Sequence, residues 1–209
     1  MKKILFCFPY AGGLSSVYYE WKKRFPSSIE IRAIEYPGHG SKFSEKLIDQ
    51  MEGLVDSLFD EIKPYLTHHY YFFGHSLGAT LCFELTHKIY QHSLNLPKHL
   101  FISGSESPDS PSSDEPISHL SDEAFINEIQ MKYQGFSQEV LNEKDLLNIF
   151  IPILRADFKM SETFDYQPKS KIPIPLSVFY GLQDQHIELD NLKLWQDKTS
   201  KSCKFYPLE

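Results

Sequence analysis

The sequence predicts a doubly wound α/β fold on a mostly parallel sheet, and three observations carry that reading. Short apolar runs recur along the chain, segments of helical period separate them, and a glycine-bounded serine sits between one such run and one such segment. The runs are Ile4 to Phe8, Ile29 to Ile34, Tyr70 to Phe73, Leu100 to Ser103, Leu176 to Tyr180 and Cys203 to Tyr206. Strands covered by helices on both faces are apolar throughout and do not alternate, so continuous runs of this length imply a parallel sheet. Between the second and third runs, Met51, Leu54, Val55, Leu58, Phe59 and Ile62 fall at spacings of three and four and stop ahead of Pro64. Leu81, Leu85 and Ile89 line one face of a helix from Leu77 to Tyr90, and Leu192 with Trp195 mark a short last helix.

The rhythm breaks after the fourth run. Ser105 to Ser118 is dense in Ser, Pro and Asp, which is a loop signal, and from there to about Thr163 there is no strand pattern. Ser121-Asp122-Glu123 opens an amphipathic helix with Phe125, Ile126 and Ile129 inward. A second helical pattern carries Leu146, Leu147, Phe150, Ile151, Leu154 and Phe158, and is expected to bend or break at Pro152. The expected organisation is one domain over residues 1–209 with a helical lid inserted at about 116–165; an ordinary pair of crossover helices is the alternative.

Of the 209 residues, 41% are apolar and 23% charged, ordinary globular usage for a chain long enough to bury a core. A net charge of −7 argues against phosphate backbones and anionic lipid, so no nucleic-acid or membrane partner is expected. Cys7, Cys82 and Cys203 are widely spaced and lack a metal-type pairing, which argues against a disulfide framework or a metal and for a reducing cytoplasm. The apolar run ahead of Pro9 is too short for a signal peptide, and no run reaches the ~18 residues of a membrane span. A soluble monomer is expected, because no coiled-coil or edge-strand signal argues for assembly.

The chemistry is concentrated in Gly74-His75-Ser76-Leu77-Gly78, a Gly-x-Ser-x-Gly pattern directly after a strand run and directly before a helix. Such a nucleophile elbow forces the serine backbone into a strained turn, which is tolerable only if the residues two before and two after lack bulky side chains. This is the signature of the α/β-hydrolase type of sheet. Acyl transfer passes through an oxyanion that needs preorganised backbone donors; the amide of Leu77 and one from Tyr10-Ala11, taken as Ala11, are the candidates. The neighbouring Gly12-Gly13 lacks the pattern of a nucleotide loop. Asp184, just past the run ending at Tyr180, stands where this architecture places the acid that orients a histidine, with Asp165 and Asp190 as competitors. The order Ser, Asp, His calls for a histidine after a final strand, and Glu209 comes first. His186 is too near Asp184, His75 is committed to the turn, and most of the other histidines read as surface or helix-end residues. The expectation is of a chain that lacks its base as written, is nearly inert in that form, and continues beyond Glu209.

With these residues in place the sequence resembles a type II thioesterase, the stand-alone editing thioesterase of nonribosomal peptide and polyketide synthases. The likeness spans essentially the whole chain. Phe8 to Gly13 and Gly74 to Ala79 carry it, with Tyr36-Pro37-Gly38-His39-Gly40, Phe83-Glu84-Leu85, Ser103-Gly104-Ser105 and His119 to Glu123. The most distinctive segment is Pro152-Ile153-Leu154-Arg155-Ala156-Asp157-Phe158. The resemblance implies Ser76 and Asp184 as catalytic residues, a histidine in a Gly-Gly-His-Phe-Phe type segment beyond Glu209, and Tyr10, Leu154 and Phe158 facing the acyl group. It implies acyl or peptidyl carrier proteins as partners and no cofactor, the phosphopantetheine arriving on the substrate. A general carboxylesterase of the same fold, or a catalytically silent carrier-binding module, are the alternatives.

Overall fold

The computed structural model describes residues 2–209 except 112–114, 134, 135 and 137, and the backbone alone of 138 and 139; part of the Ser105 to Ser118 loop therefore lies outside the described residues. Strands β1 (Lys3–Phe8), β2 (Ile29–Ala33), β3 (Tyr70–His75), β4 (Leu100–Ser103), β5 (Leu176–Gly181) and β6 (Cys203–Leu208) form one sheet. Their order is β2-β1-β3-β4-β5-β6, and each neighbouring pair is parallel.

Side chains alternate across a strand, so β1 feeds two cores at once. Ile4, Phe6 and Phe8 pack with Leu54, Leu58 and Ile62 of α2 (Met51–Ile62) and with Leu81, Leu85 and Ile89 of α3 (Leu77–Gln91). Leu5 and Cys7 point the other way, onto Tyr18, Ile31 and Trp21, the last in the short α1 (Trp21–Arg24). Helices thus cover both faces of the inner strands, which explains the continuous apolar runs of β1, β3 and β4, whereas the edge strands β2 and β6 carry Glu30, Arg32 and Lys204 among their apolar residues.

Two consequences of this order place a site. In a parallel sheet all strand carboxyl ends lie along one edge, and the chain leaves β1 toward β2 but returns past it to β3. The strand order therefore reverses between β1 and β3, and the crevice outside the carboxyl ends at such a reversal is where open α/β sheets bind ligands. The segments that leave those two strand ends are Pro9 to Gly13 and Ser76.

Between β4 and β5 the described residues form three helices and no strand: α4 (Asp122–Tyr133), α5 (Gln138–Asn142) and α6 (Lys144–Thr163). They bury a small apolar cluster of their own, containing Ile117, Phe125, Ile129, Phe136, Ile151 and Leu154. Arg155 of α6 ties the entry to α4 down, donating to the carbonyls of Ser118 and Leu120 and to the Asp122 carboxylate, with its guanidinium 4.5 Å from the Phe125 ring centre. The expected break at Pro152 does not occur: α6 runs through it. Proline removes one hydrogen bond from the helix, but Ile151, Ile153, Leu154 and Ala156 are all buried around it, and that packing keeps the helix continuous.

Candidate active site

Ser76 stands between β3 and α3 with φ 51° and ψ −118°, a left-handed conformation that L side chains adopt only under constraint. The constraint is close packing of backbone. A Cβ placed on Gly78 would overlap the carbonyl oxygen of Phe8, and one on Gly74 would overlap the Gly78 carbonyl, so both glycines are required for the elbow to close. The Ser76 amide donates to the Ser103 carbonyl at 2.9 Å, and the Ser76 carbonyl accepts from Ala79 at 2.8 Å, so the turn is fixed on both sides. Gly78→Ala is accordingly expected to cost about 1–3 kcal/mol, since backbone and not a flexible side chain must give way. Thermal denaturation reads this as a fall of roughly 2–4 °C per kcal/mol; an unchanged melting temperature would show that the elbow has slack.

The side chain of Ser76 is exposed at the mouth of a cavity of about 620 Å³ that Tyr10, Ala11, Gly12 and His75 also border. Leu154 and Phe158, two of the residues expected to face an acyl group, line the same cavity. Among the described residues, neither the Ala11 nor the Leu77 amide donates to a protein acceptor, whereas the amides of Gly12 and Gly13 are both engaged. The Leu77 amide is the first of α3, where helix geometry leaves donors free and the helix dipole is positive.

The segment from Phe8 to Ser15 is anchored from four directions. Tyr18 Oη donates to the Phe8 carbonyl at 2.9 Å and Tyr36 Oη to the Pro9 carbonyl at 2.8 Å. Buried Glu35 accepts from the amide and hydroxyl of Ser15, at 2.9 and 2.8 Å, and from the Ser41 amide at 3.2 Å. The fourth anchor comes from α6: Asp157, 1% exposed, accepts from the Gly12 amide at 2.7 Å through Oδ2, and the same oxygen lies 3.0 Å from His39 Nε2. His39 is itself 1% exposed, and His87 is 3% exposed, so these two are core residues and not the surface or helix-end histidines expected. Burial by itself would lower the His39 pKa, but the hydrogen bond and charge of Asp157 outweigh it and the net shift is upward. Asp157, His39 and Glu35 were not read from the sequence as site residues. The only signal was the place of Asp157 in Leu-Arg-Ala-Asp-Phe and of His39 in Tyr-Pro-Gly-His-Gly, with Glu35 directly before the latter.

His75 is half-buried, with Nδ1 3.1 Å from Ser103 Oγ and its ring edge-on to Tyr10 at 5.8 Å between centres. Burial lowers its pKa, and the Asp184 charge acts on the ring in the opposite sense. Asp184 itself is exposed on the loop after β5, its Oδ1 accepting from the His186 amide at 3.0 Å. Because β3 and β5 are parallel and flank β4, with His75 beside Ser103 and Ser103 beside Phe179, Ser76 and Asp184 leave the same sheet edge. The His186 ring turns to α4, stacked 4.9 Å from Tyr133 with Nε2 3.0 Å from the Lys132 carbonyl. Among the described residues, Ser76 Oγ makes no hydrogen bond to any of the nine histidines. Asp165 borders a different cavity with Met51 and Glu84, and Asp190 pairs with Lys193 at 2.8 Å on the surface.

A parallel sheet with a strained serine at its reversal point and free amides beside it is an α/β-hydrolase arrangement. The Thioesterase domain family model matches residues 3–209, and the chain belongs to that family. It is 35% identical over 205 residues to the gramicidin S biosynthesis protein GrsT of Aneurinibacillus migulanus, covering 97% of this chain and 80% of that one. It is 30% identical over 197 residues to thioesterase PikA5 of Streptomyces venezuelae, covering 94% and 69%. Among solved structures, ClbQ from the colibactin NRPS/PKS pathway superposes with a TM-score of 0.93 at 32% identity, covering 100% of this chain and 87% of the other. These relatives are type II thioesterases of nonribosomal peptide and polyketide pathways, the group that the sequence resembles. Among the described residues, no helix is long and apolar enough to cross a membrane.

Proposed function

We propose that the protein hydrolyses acyl, aminoacyl or peptidyl thioesters held on the phosphopantetheine arms of carrier proteins, and so frees arms blocked by wrong or stalled groups. The observation that carries this reading is the strained Ser76 at the mouth of the 620 Å³ cavity, with the Ala11 and Leu77 amides left unengaged. In this reading the thioester carbonyl settles between those amides while an imidazole takes the Ser76 proton and Oγ attacks carbon. The oxyanion collapses, the C–S bond breaks, and the pantetheine thiolate leaves with the proton returned by the imidazolium. Water then repeats the sequence on the acyl-serine and releases the acid. Asp184 is assigned to orient the imidazole and stabilise its cation. No cofactor is called for, since the arm arrives with the substrate. Helices α4 to α6 act as the lid over the acyl group, and a cytoplasmic monomer meets the carrier domains directly.

The test compares the full-length gene product on an acyl-carrier thioester and on an oxygen ester of the same acyl group. The thioester is expected to be preferred by more than about tenfold in kcat/KM, or 1.4 kcal/mol of transition-state preference. Equal or reversed rates would replace the reading with a general carboxylesterase, and carrier binding without hydrolysis of either ester with a silent binding module.

A further inference from the structure

Resting on that reading of Ser76 and narrowing its substrate class, we infer that the site favours acyl groups uncharged and apolar beyond their first carbons over those that end in a carboxylate or an ammonium. Behind the mouth the cavity walls are Ile129, Phe136, Val140, Phe150, Leu154 and Phe158, drawn from α4, α5, α6 and the segment between α4 and α5. Among the described residues lining it there is no Asp, Glu, Lys or Arg. Among the described lining residues beyond the mouth and Tyr133, the one hydroxyl, Ser161 Oγ, already donates to the Asp157 carbonyl at 3.2 Å. The buried carboxylate of α6, Asp157, does not line the cavity, and its Oδ2 is occupied by Gly12 and His39. A distal carboxylate would meet no Lys or Arg among the described lining residues, and a distal ammonium no Asp or Glu.

The size agrees with a chain and not merely an acetyl group. At about 30 Å³ per water-sized group, 620 Å³ holds on the order of twenty such groups, enough for an acyl chain of about eight carbons and the end of the arm. Leu154 sits against Gly12, where φ is +73° and any Cβ would overlap it, so the apolar wall begins directly beside the segment that follows β1. Each methylene moved from water into such walls raises affinity about fourfold.

The experiment uses ketone isosteres of acyl-pantetheines, in which CH₂ replaces the sulfur, with acetyl, butanoyl, octanoyl, succinyl and β-alanyl groups, and calorimetric binding to the full-length protein. The octanoyl compound is expected to bind on the order of 100-fold tighter than the butanoyl one, and the succinyl and β-alanyl compounds at least tenfold weaker than butanoyl. Phe150 is half-buried, so a lysine there can reach both cavity and water; Phe150→Lys is expected to improve succinyl binding about tenfold and weaken octanoyl binding. If that variant does not fold, the wild-type ranking decides alone. A flat ranking, or succinyl binding as tightly as octanoyl, overturns the inference. Hydrolysis of the matching thioesters separates the two claims: hydrolysis of all with a flat ranking removes only the pocket inference, whereas the expected ranking with no hydrolysis removes only the assignment of Ser76.

Discussion

Ser76→Ala is expected to lower kcat on carrier-bound acyl thioesters by on the order of 10⁴- to 10⁶-fold, while stability stays within about 1 kcal/mol of wild type. The nucleophile is the one group in the proposed mechanism with no substitute nearby. The oxyanion amides and the cavity remain, so a residual rate above that of water should persist. Stability should hold because the Ser76 side chain is exposed and hydrogen-bonded to nothing among the described residues, while the turn is fixed through the Ser76 amide and carbonyl. The strain at φ 51° is the same for alanine as for serine. Glycine, which adopts that conformation without penalty, should raise stability by about 1 kcal/mol at the same loss of activity. Initial rates and thermal melts on the three proteins check this; an active alanine variant would remove Ser76 from the chemistry.

Asp157→Ala is expected to destabilise the fold by about 3–5 kcal/mol, the range for removing one partner of a buried charged pair. The change leaves His39 buried without its acceptor and the Gly12 amide without a partner, and it cuts the link from α6 to the segment that follows β1. The same pair gives wild type a pH signature. The folded pKa of His39 lies above its ordinary value near 6.5, so protonation favours the folded state. Its contribution is fully present below about pH 6.5 and is lost as pH rises through the folded value. The stability gap between wild type and His39→Gln should therefore be widest in mild acid and shrink on the alkaline side. Denaturant midpoints for the two proteins across that range provide the measurement, and a gap that widens with pH would contradict the assignment of the pair.

What the sequence made legible is what local pattern encodes. Continuous apolar runs marked the inner strands because both sheet faces are covered there, and Gly-x-Ser-x-Gly marked the elbow because its steric demand is met within five residues. Asp157 and His39 lay beyond reach for the opposite reason. Their partners are 145 and 118 residues away in the chain, and neither spacing nor composition encodes a contact that only the folded sheet and lid create. Glu35 is similar on a smaller scale, its role resting on the way Ser15 and Ser41 fold back over it. The alternative of an interruption at Pro152 failed because the cost of one lost hydrogen bond is a local quantity, whereas the burial that outweighs it is not.

The most direct measurement of the central claim is the fate of Ser76 during turnover. The full-length protein is mixed with an octanoyl-carrier thioester, quenched at intervals, digested, and its peptides weighed. An octanoyl group on Ser76 that appears and decays at the turnover rate is the predicted result; hydrolysis proceeding with Ser76 never acylated, or with the acyl group on another residue, would contradict the account.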